Sequence, residues 1–297
     1  MKRGDSAGPG PTSHAFFSQR LRLHYVDYGR SDGPLLVLVH GGRDHARSWD
    51  FVAAELRDQY HVVAPDLRGH GDSAWAVGSQ YAMPDYLLDL NQLLRHLGTQ
   101  PVILVGHSLG GAIVLQYAGT YPERVSRVAA IEGLGPPPTM LVDKPVEERL
   151  DEWIRTMELL ATRQPRRYAS ISEAAGRMRA ANARLSPELA SHLTLHGTVR
   201  MEDGTYAWKF DNYVRAWGPN GYDRDAVQRL WSRISCPTLL VRGAESWAEN
   251  PVADGRAGHF SDYRYAEIDG AGHWVHHDRL EAFVGELSGF LALAERS

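Results

Sequence analysis

Gly106-His107-Ser108-Leu109-Gly110 sets a serine between two glycines. An apolar run, Val102 to Val105, precedes it, and a helix-like run, Ala112 to Tyr121, follows. A serine hydroxyl is a weak nucleophile that needs an adjacent base and an exposed position. Gly106 and Gly110 leave room where side chains would collide, so the spacing predicts a strand-to-helix elbow with Ser108 standing clear above a sheet edge. Histidine is the base suited to neutral pH. Of the 14 histidines, His273 is best placed, in the glycine-flanked loop Gly270-Ala271-Gly272-His273 after the last strand-like run. His276 and His277 read as packing or surface residues at the start of the closing helix. His107 should pack beneath the nucleophile, and His40 should order the loop after its strand.

The serine–histidine pair needs a carboxylate to fix the imidazole tautomer and stabilise the imidazolium. Two positions can supply it. Glu132 stands directly at the end of the Val125–Ile131 run, next to the nucleophile's strand, and is preferred by placement. Glu245, in Arg242-Gly243-Ala244-Glu245-Ser246-Trp247, is the alternative acid. An oxyanion needs two backbone N–H donors. Leu109, just after the serine, offers one, and Gly42 in His40-Gly41-Gly42 offers the other. His45, His61 and His70 are scattered, and no carboxylate sits at helical ligand spacing near His273, His276 and His277, so no metal site is expected. Gly69-His70-Gly71-Asp72-Ser73 lacks the third glycine and the helix of a dinucleotide fingerprint, and no cofactor is expected.

The elements that must hold these residues alternate. Leu21 to Tyr28 reads as an outer strand by its period of two. Leu35–Val39 and His61–Ala64 are continuous apolar runs, as in strands covered on both faces. Helices are expected over Ser48–Leu56, Asp85–Leu97 and Leu280–Leu293, and further strands over Pro237–Val241 and Tyr263–Ile268. The alternation breaks at Gly133-Leu134-Gly135-Pro136-Pro137-Pro138, and helix signals dominate up to about Arg233. Ser170 with Glu173 has capping-box spacing, Ser186-Pro187 suits a helix start, and Asp203-Gly204 suits a small hairpin. The expected organisation is a flexible tail over 1–14, an α/β core over 15–132 and 234–297, and a cap over 133–233.

The 297 residues, 43% of them hydrophobic, can bury one large core or a core plus a lid. With 36 acidic and 32 basic residues the net charge is −4, which gives no reason to expect nucleic acid or an anionic membrane as partner. Cys236 is the only cysteine, so no intrachain disulfide forms and a reducing, cytoplasmic compartment fits; it reads as a small buried filler. No apolar run approaches the roughly 20 residues of a membrane span.

With these residues in hand, the chain resembles the α/β-hydrolase-fold serine hydrolases over about residues 16 to 295. The likeness rests on His40-Gly41-Gly42, the Asp66–Ser73 loop, Gly106–Gly110 and Gly270-Ala271-Gly272-His273-Trp274. It implies a mostly parallel eight-stranded sheet flanked by helices, with a mainly helical cap after the sixth strand. It also implies Ser108 as nucleophile, His273 as base and the Gly42 and Leu109 amides as oxyanion hole. One departure stands out. Most members carry an Asp three or four residues after the glycine ending the seventh strand, where this chain has Ser246 and Trp247. Haloalkane dehalogenases and zearalenone-type lactonases, which this chain resembles, take the acid from the sixth strand, about where Glu132 lies. Dehalogenases and epoxide hydrolases use an Asp nucleophile, so Ser108 argues against those two chemistries.

The expected function is cofactor-independent hydrolysis of a carboxylic ester or lactone through an acyl-enzyme. The same site supports alternatives: carbon–carbon bond hydrolysis, cofactor-free peroxidation or hydroxynitrile cleavage, and, from another class, a non-catalytic ligand-binding receptor. The cap aromatics Trp153, Tyr168, Tyr206, Trp208, Phe210, Tyr213 and Trp217 suit an apolar or ring-bearing substrate, with Trp153, Trp208 and Trp274 as pocket candidates. Most of these aromatics are expected to be ordinary cap core.

Overall fold

The computed structural model describes residues 10–78, 81–98, 101–136, 144–216, 218–220 and 222–292. Trp217 lies outside them. The strands are β1 (Thr12–Ser18), β2 (Leu21–Asp27), β3 (Leu35–Val39), β4 (His61–Pro65), β5 (Val102–His107), β6 (Val125–Ile131), β7 (Thr198–Arg200), β8 (Tyr206–Trp208), β9 (Thr238–Gly243) and β10 (Tyr263–Ile268). Eight of them form one sheet in the order β1-β2-β4-β3-β5-β6-β9-β10. Only β2 runs against its neighbours; from β4 to β10 every pairing is parallel. Parallel strands need crossovers that cover both faces, which is why β3 and β5 are buried along their whole length.

The helices are α1 (Asp50–Leu56), α2 (Met83–Leu97), α3 (Leu109–Thr120), α4 (Val146–Thr162), α5 (Ile171–Ala181), α6 (Pro187–Gly197), α7 (Arg224–Trp231), α8 (Val275–Asp278) and α9 (Leu280–Leu291). One core layer gathers Leu93, Ile113, Tyr117 and Trp231 from α2, α3 and α7. The other gathers Trp49, Leu56, Phe283 and Phe290 around α1 and α9. Cys236 is buried in the first layer, where burial pushes its thiol up to about 11, as suits a packing residue. Among the described residues no helix is long and apolar enough to cross a membrane.

Two expected boundaries move. The tail does not reach residue 14: Thr12, Ser13 and His14 pair with Asp27, Val26 and Tyr25 in an antiparallel edge strand. Their polar side chains face solvent, which is why their composition reads as a tail. The cap does not run to residue 233. Its last helix, α7, belongs to the core layer on α3, because Gly119 has no side chain and lets the Leu230 carbonyl close to within 2.2 Å of where a Cβ would stand. The Arg233 Nε–H seals the contact on the Gly119 carbonyl at 2.9 Å.

The rest of the insertion is α4, α5, α6 and the β7–β8 hairpin. Ser170 and Ser186 cap α5 and α6 through their hydroxyls, as the spacing predicts. Gly204, at φ 84°, turns the hairpin, with the Asp203 carboxylate accepting the Thr205 N–H and hydroxyl. This cap docks on the core through polar pairs: Lys209 with Asp72 at 2.8 Å, His192 with Asp50 at 3.1 Å, Arg184 with Glu245, and the Tyr81 hydroxyl donating to Asp211.

Around the elbow, three backbones meet at contact distance. A Cβ on Gly110 would stand 2.2 Å from the Val39 carbonyl oxygen, and one on Gly106 would stand 2.3 Å from the Gly110 oxygen. Neither can be relieved by a rotamer, since both obstacles are main chain. Gly110→Ala is expected to lower stability by at least about 2 kcal/mol in urea unfolding; a loss under about 0.5 kcal/mol would contradict this packing.

Candidate active site

Ser108 sits at the tip of the elbow with φ 52° and ψ −114°, a conformation L side chains rarely adopt. The strain is held from both sides. The Ser108 N–H donates to the Ile131 carbonyl at 2.8 Å, and the Ser108 carbonyl accepts the Ala112 N–H at 3.0 Å, so β6 and α3 pin the turn. Leu109 opens α3, so its amide is one of the helix's unused first-turn donors. Gly42 lies in the loop after β3. Among the described residues neither amide has a protein acceptor.

The Gly42 loop is fixed by His40. Its Nε2 accepts the Leu67 N–H at 3.0 Å, which leaves the proton on Nδ1, and Nδ1–H donates to the Gly41 carbonyl at 2.7 Å. Burial pushes the His40 pKa down to about 3, so the ring stays neutral and keeps this tautomer. Behind it lies Asp66. Its carboxylate accepts from His24 Nδ1 at 2.7 Å, the Ala46 N–H at 2.6 Å and the Asp72 N–H at 2.8 Å. Burial alone would raise its pKa, but the His24 bond, the neighbouring histidines and the Ala46 amide hold it well below the usual carboxylate range. The Asp66–Ser73 segment is thus a brace for the loop that carries Gly42.

His273 lies on the loop after β10 with its ring between two tryptophans. Trp247 lies 4.9 Å away at 32°, and Trp274 meets it edge-on at 5.3 Å. Its carbonyl accepts the His107 Nε2–H at 2.9 Å. His107 therefore does more than fill space beneath Ser108: it ties the residue before Ser108 to the His273 loop. Burial, then the charge His273 would carry, keep His107 neutral.

His273 Nδ1 faces Glu132 Oε2 at 3.5 Å, and the Glu132 carboxylate is fully buried. That separation is longer than a formed hydrogen bond, and His273 Nδ1 has no other partner among the described residues. Glu132 is itself left-handed, with φ 54°, and is held by its N–H on the Val241 carbonyl at 2.9 Å. Its Oε1 accepts the Gly243 N–H and its Oε2 the Ser246 hydroxyl, both at 2.8 Å. Glu245, by contrast, is turned to the surface, where its carboxylate pairs with Arg184. Ser246 was visible in the sequence only as a departure from the seventh-strand pattern. In the fold it is the hydroxyl that aims the sixth-strand carboxylate.

Of the pocket candidates, Trp274 touches His273, and Trp208 lines a cavity with Arg43, Asp44, His45, Met178 and Phe210. Trp153 is half-buried on α4, and no ring contact or hydrogen bond among the described residues joins it to Ser108 or His273. Tyr168 and Trp208 pair edge-on at 6.0 Å, and the Trp208 indole N–H donates to the Tyr168 hydroxyl, which makes them cap core as well.

The fold gathers histidine–carboxylate groups that the linear spacing hid. Asp44, His107 and His276; Asp50, His192 and His196; and His24, Asp66 and Asp72 each bring ligand atoms within 4.8 Å of one another. The Asp50 carboxylate is already taken by Arg47, Tyr28 and His192, and that of Asp66 by the three donors above. Unused imidazole nitrogens remain on His107 and His276 in the first group and on His24 in the third. His192 and His196, one turn apart on α6, were the spacing signal that sequence reading passed over.

A family model described as alpha/beta hydrolase fold matches residues 34–280. Epoxide hydrolase 3 of Mus musculus is 25% identical over 291 residues, which is 92% of this chain and 76% of that protein. Lipase LipV of Mycobacterium tuberculosis is 30% identical over 257 residues, 85% of this chain and 91% of the lipase. Among solved structures, the thioesterase domain from the curacin biosynthetic pathway superposes with a TM-score of 0.82 at 24% identity, covering 96% of this chain and 100% of that one.

Burial holds five histidines of this region neutral: His107 and His276 well below the ordinary 6.5, His40 and His277 at about 3 and His70 at about 4. Between those values and 6.5 the unfolded chain binds protons that the folded chain refuses. Stability is therefore present in full above about pH 6.5 and is lost as pH falls toward 4, by up to about 1.4 kcal/mol per pH unit for each ring. Urea unfolding at pH 7.5, 6.5, 5.5 and 5.0 should show a steepening loss with more than one proton taken up per molecule. A flat profile down to pH 5 would mean that these rings are not buried neutral.

Proposed function

The chain belongs to the alpha/beta hydrolase fold family, and from that premise we propose that it is a serine hydrolase of carboxylic esters or lactones. The observation that carries this reading is the convergence on one sheet edge of Ser108 in its left-handed turn and a buried Glu132 facing His273 Nδ1 at 3.5 Å. Ser108 Oγ attacks the carbonyl carbon while His273 takes its proton. The Gly42 and Leu109 amides receive the oxyanion. The tetrahedral intermediate collapses to the acyl-enzyme, and His273 returns the proton to the leaving alcohol. Water, deprotonated by His273, then releases the acid. Glu132 keeps the proton of neutral His273 on Nδ1 and stabilises the imidazolium.

The likeness to an epoxide hydrolase does not extend this reading to epoxides, because Ser108 stands where that chemistry needs a carboxylate to open the ring. The lipase likeness agrees with ester chemistry. A non-catalytic receptor is disfavoured by the arrangement at Glu132, where a buried carboxyl group is served by two dedicated donors.

Three variants assayed with p-nitrophenyl butyrate test the assignment. Glu132→Gln should lose about 10³ to 10⁴ in kcat, and Glu245→Gln should stay within about threefold of wild type. The reverse pattern would move the acid to the seventh strand of the sheet. Ser246→Ala should lower kcat about tenfold with little change in KM, since it loosens the carboxylate without touching substrate. A fluorophosphonate probe should label Ser108 in the native protein; no labelling would favour the receptor reading.

A further inference from the structure

Cationic side chains collect beside the Gly42 loop without carboxylates to meet them. Arg43 follows Gly42 directly, is held left-handed at φ 65°, and lines the cavity that reaches Trp208 and Phe210. The Arg215 guanidinium lies 5.3 Å over the ring of Phe210, which lines the same cavity as Arg43. Its Nε is buried and has no hydrogen-bond partner. Arg163 follows α4, and α4 packs on the Asn212–Arg215 turn. Desolvation, then the charges of Arg43 and Arg163, depress the Arg215 pKa, as expected of guanidiniums crowded together.

The acids close by are engaged elsewhere. Asp211 accepts from the Tyr81 hydroxyl and the Tyr213 N–H. Asp44, on the wall of the same cavity, accepts the His45 N–H, and burial raises its pKa. Lys209 is paired with Asp72. Among the described residues no carboxylate answers Arg43, Arg163 or Arg215. Arg215 is half-buried while Arg43 and Arg163 are exposed; its partly desolvated guanidinium stands near their like charges at a cost that a ligand of opposite charge removes.

We propose that Arg43 and Arg215 bind a carboxylate of the substrate, so that the preferred ester or lactone is an anionic one, with Arg163 reinforcing the field. This rests on the ester-hydrolase reading above and narrows its substrate class. The planar, multi-donor guanidinium suits a carboxylate, and the Phe210 face holds the Arg215 plane in position. A hydrocarbon acyl chain would leave these guanidiniums unanswered.

The test compares mono-p-nitrophenyl glutarate with p-nitrophenyl hexanoate, nearly equal in length and differing in the terminal carboxylate. Wild type should favour the glutarate ester by about tenfold or more in kcat/KM. Arg215→Gln and Arg43→Gln should each cut that ratio at least fivefold, mostly through KM. A wild-type ratio at or below one, or a ratio untouched by Arg215→Gln, would overturn the proposal and leave ester hydrolysis standing. If neither ester turns over, the ester reading falls, and the subsite is judged by glutarate titration calorimetry on the Ser108→Ala protein. Saturable glutarate binding that Arg215→Gln abolishes supports the subsite, and no binding overturns it. Inorganic phosphate, titrated in parallel, distinguishes a phosphate-bearing ligand: binding tighter than that of glutarate would overturn the carboxylate assignment.

Discussion

The constraint on which this structure depends is the contact of bare backbones around Ser108. β3, β5 and the start of α3 approach so closely that side chains are excluded at Gly106 and Gly110, and Gly111 meets Gly133 at the head of the cap insertion in the same way. This closeness forces the left-handed turn at Ser108 and makes the Leu109 amide the first free donor of a helix. It also brings β6 near enough for its carbonyl at Ile131 to lock the Ser108 N–H. The exposed position of Ser108 is therefore made by steric exclusion, and the polar groups around it only finish what the packing begins.

The carboxylate shows how a charge can be moved within such a frame. Glu132 reaches His273 from β6, while the β9 side of the site contributes donors in place of an acid: the Gly243 amide and the Ser246 hydroxyl. Gly243 serves twice, since a Cβ there would also stand 2.2 Å from the Gly272 carbonyl oxygen and push away the loop that carries His273. Moving the acid by one strand thus exchanges donor and acceptor across the same gap, and the electrostatics facing the imidazole keep their sign.

Most of the scaffold was legible because parallel strands buried on both faces leave continuous apolar runs, and Leu35–Val39 and Val102–Val105 could not be read otherwise. The elbow was legible because sterics there permit only glycine at set offsets from Ser108. What escaped was what side-chain patterning does not encode. Thr12–His14 carry polar side chains outward, so their strand pairing is written in the backbone alone. The α7 helix looked like cap because it follows the cap in order, and only the bare Gly119 surface of α3 assigns it to the core. His107, Ser246 and Asp66 act through partners 166, 114 and 42 residues away, distances at which no local pattern operates.

Cap and core are joined by different forces. Part of the cap's hold on the core is ion pairs of surface character, Lys209 with Asp72 and Arg184 with Glu245, beside the buried bond of the His45 ring with the Leu193 carbonyl. The elbow and the His273 loop are joined through the buried His107 bond and bare main-chain packing. Dissolved ions weaken the first kind of contact within a Debye length and barely reach the second. The molecule is thus built in two mechanical tiers: ionic strength reaches the paired charges between cap and core, while the spacing of Ser108 and His273 belongs to a tier that salt does not address.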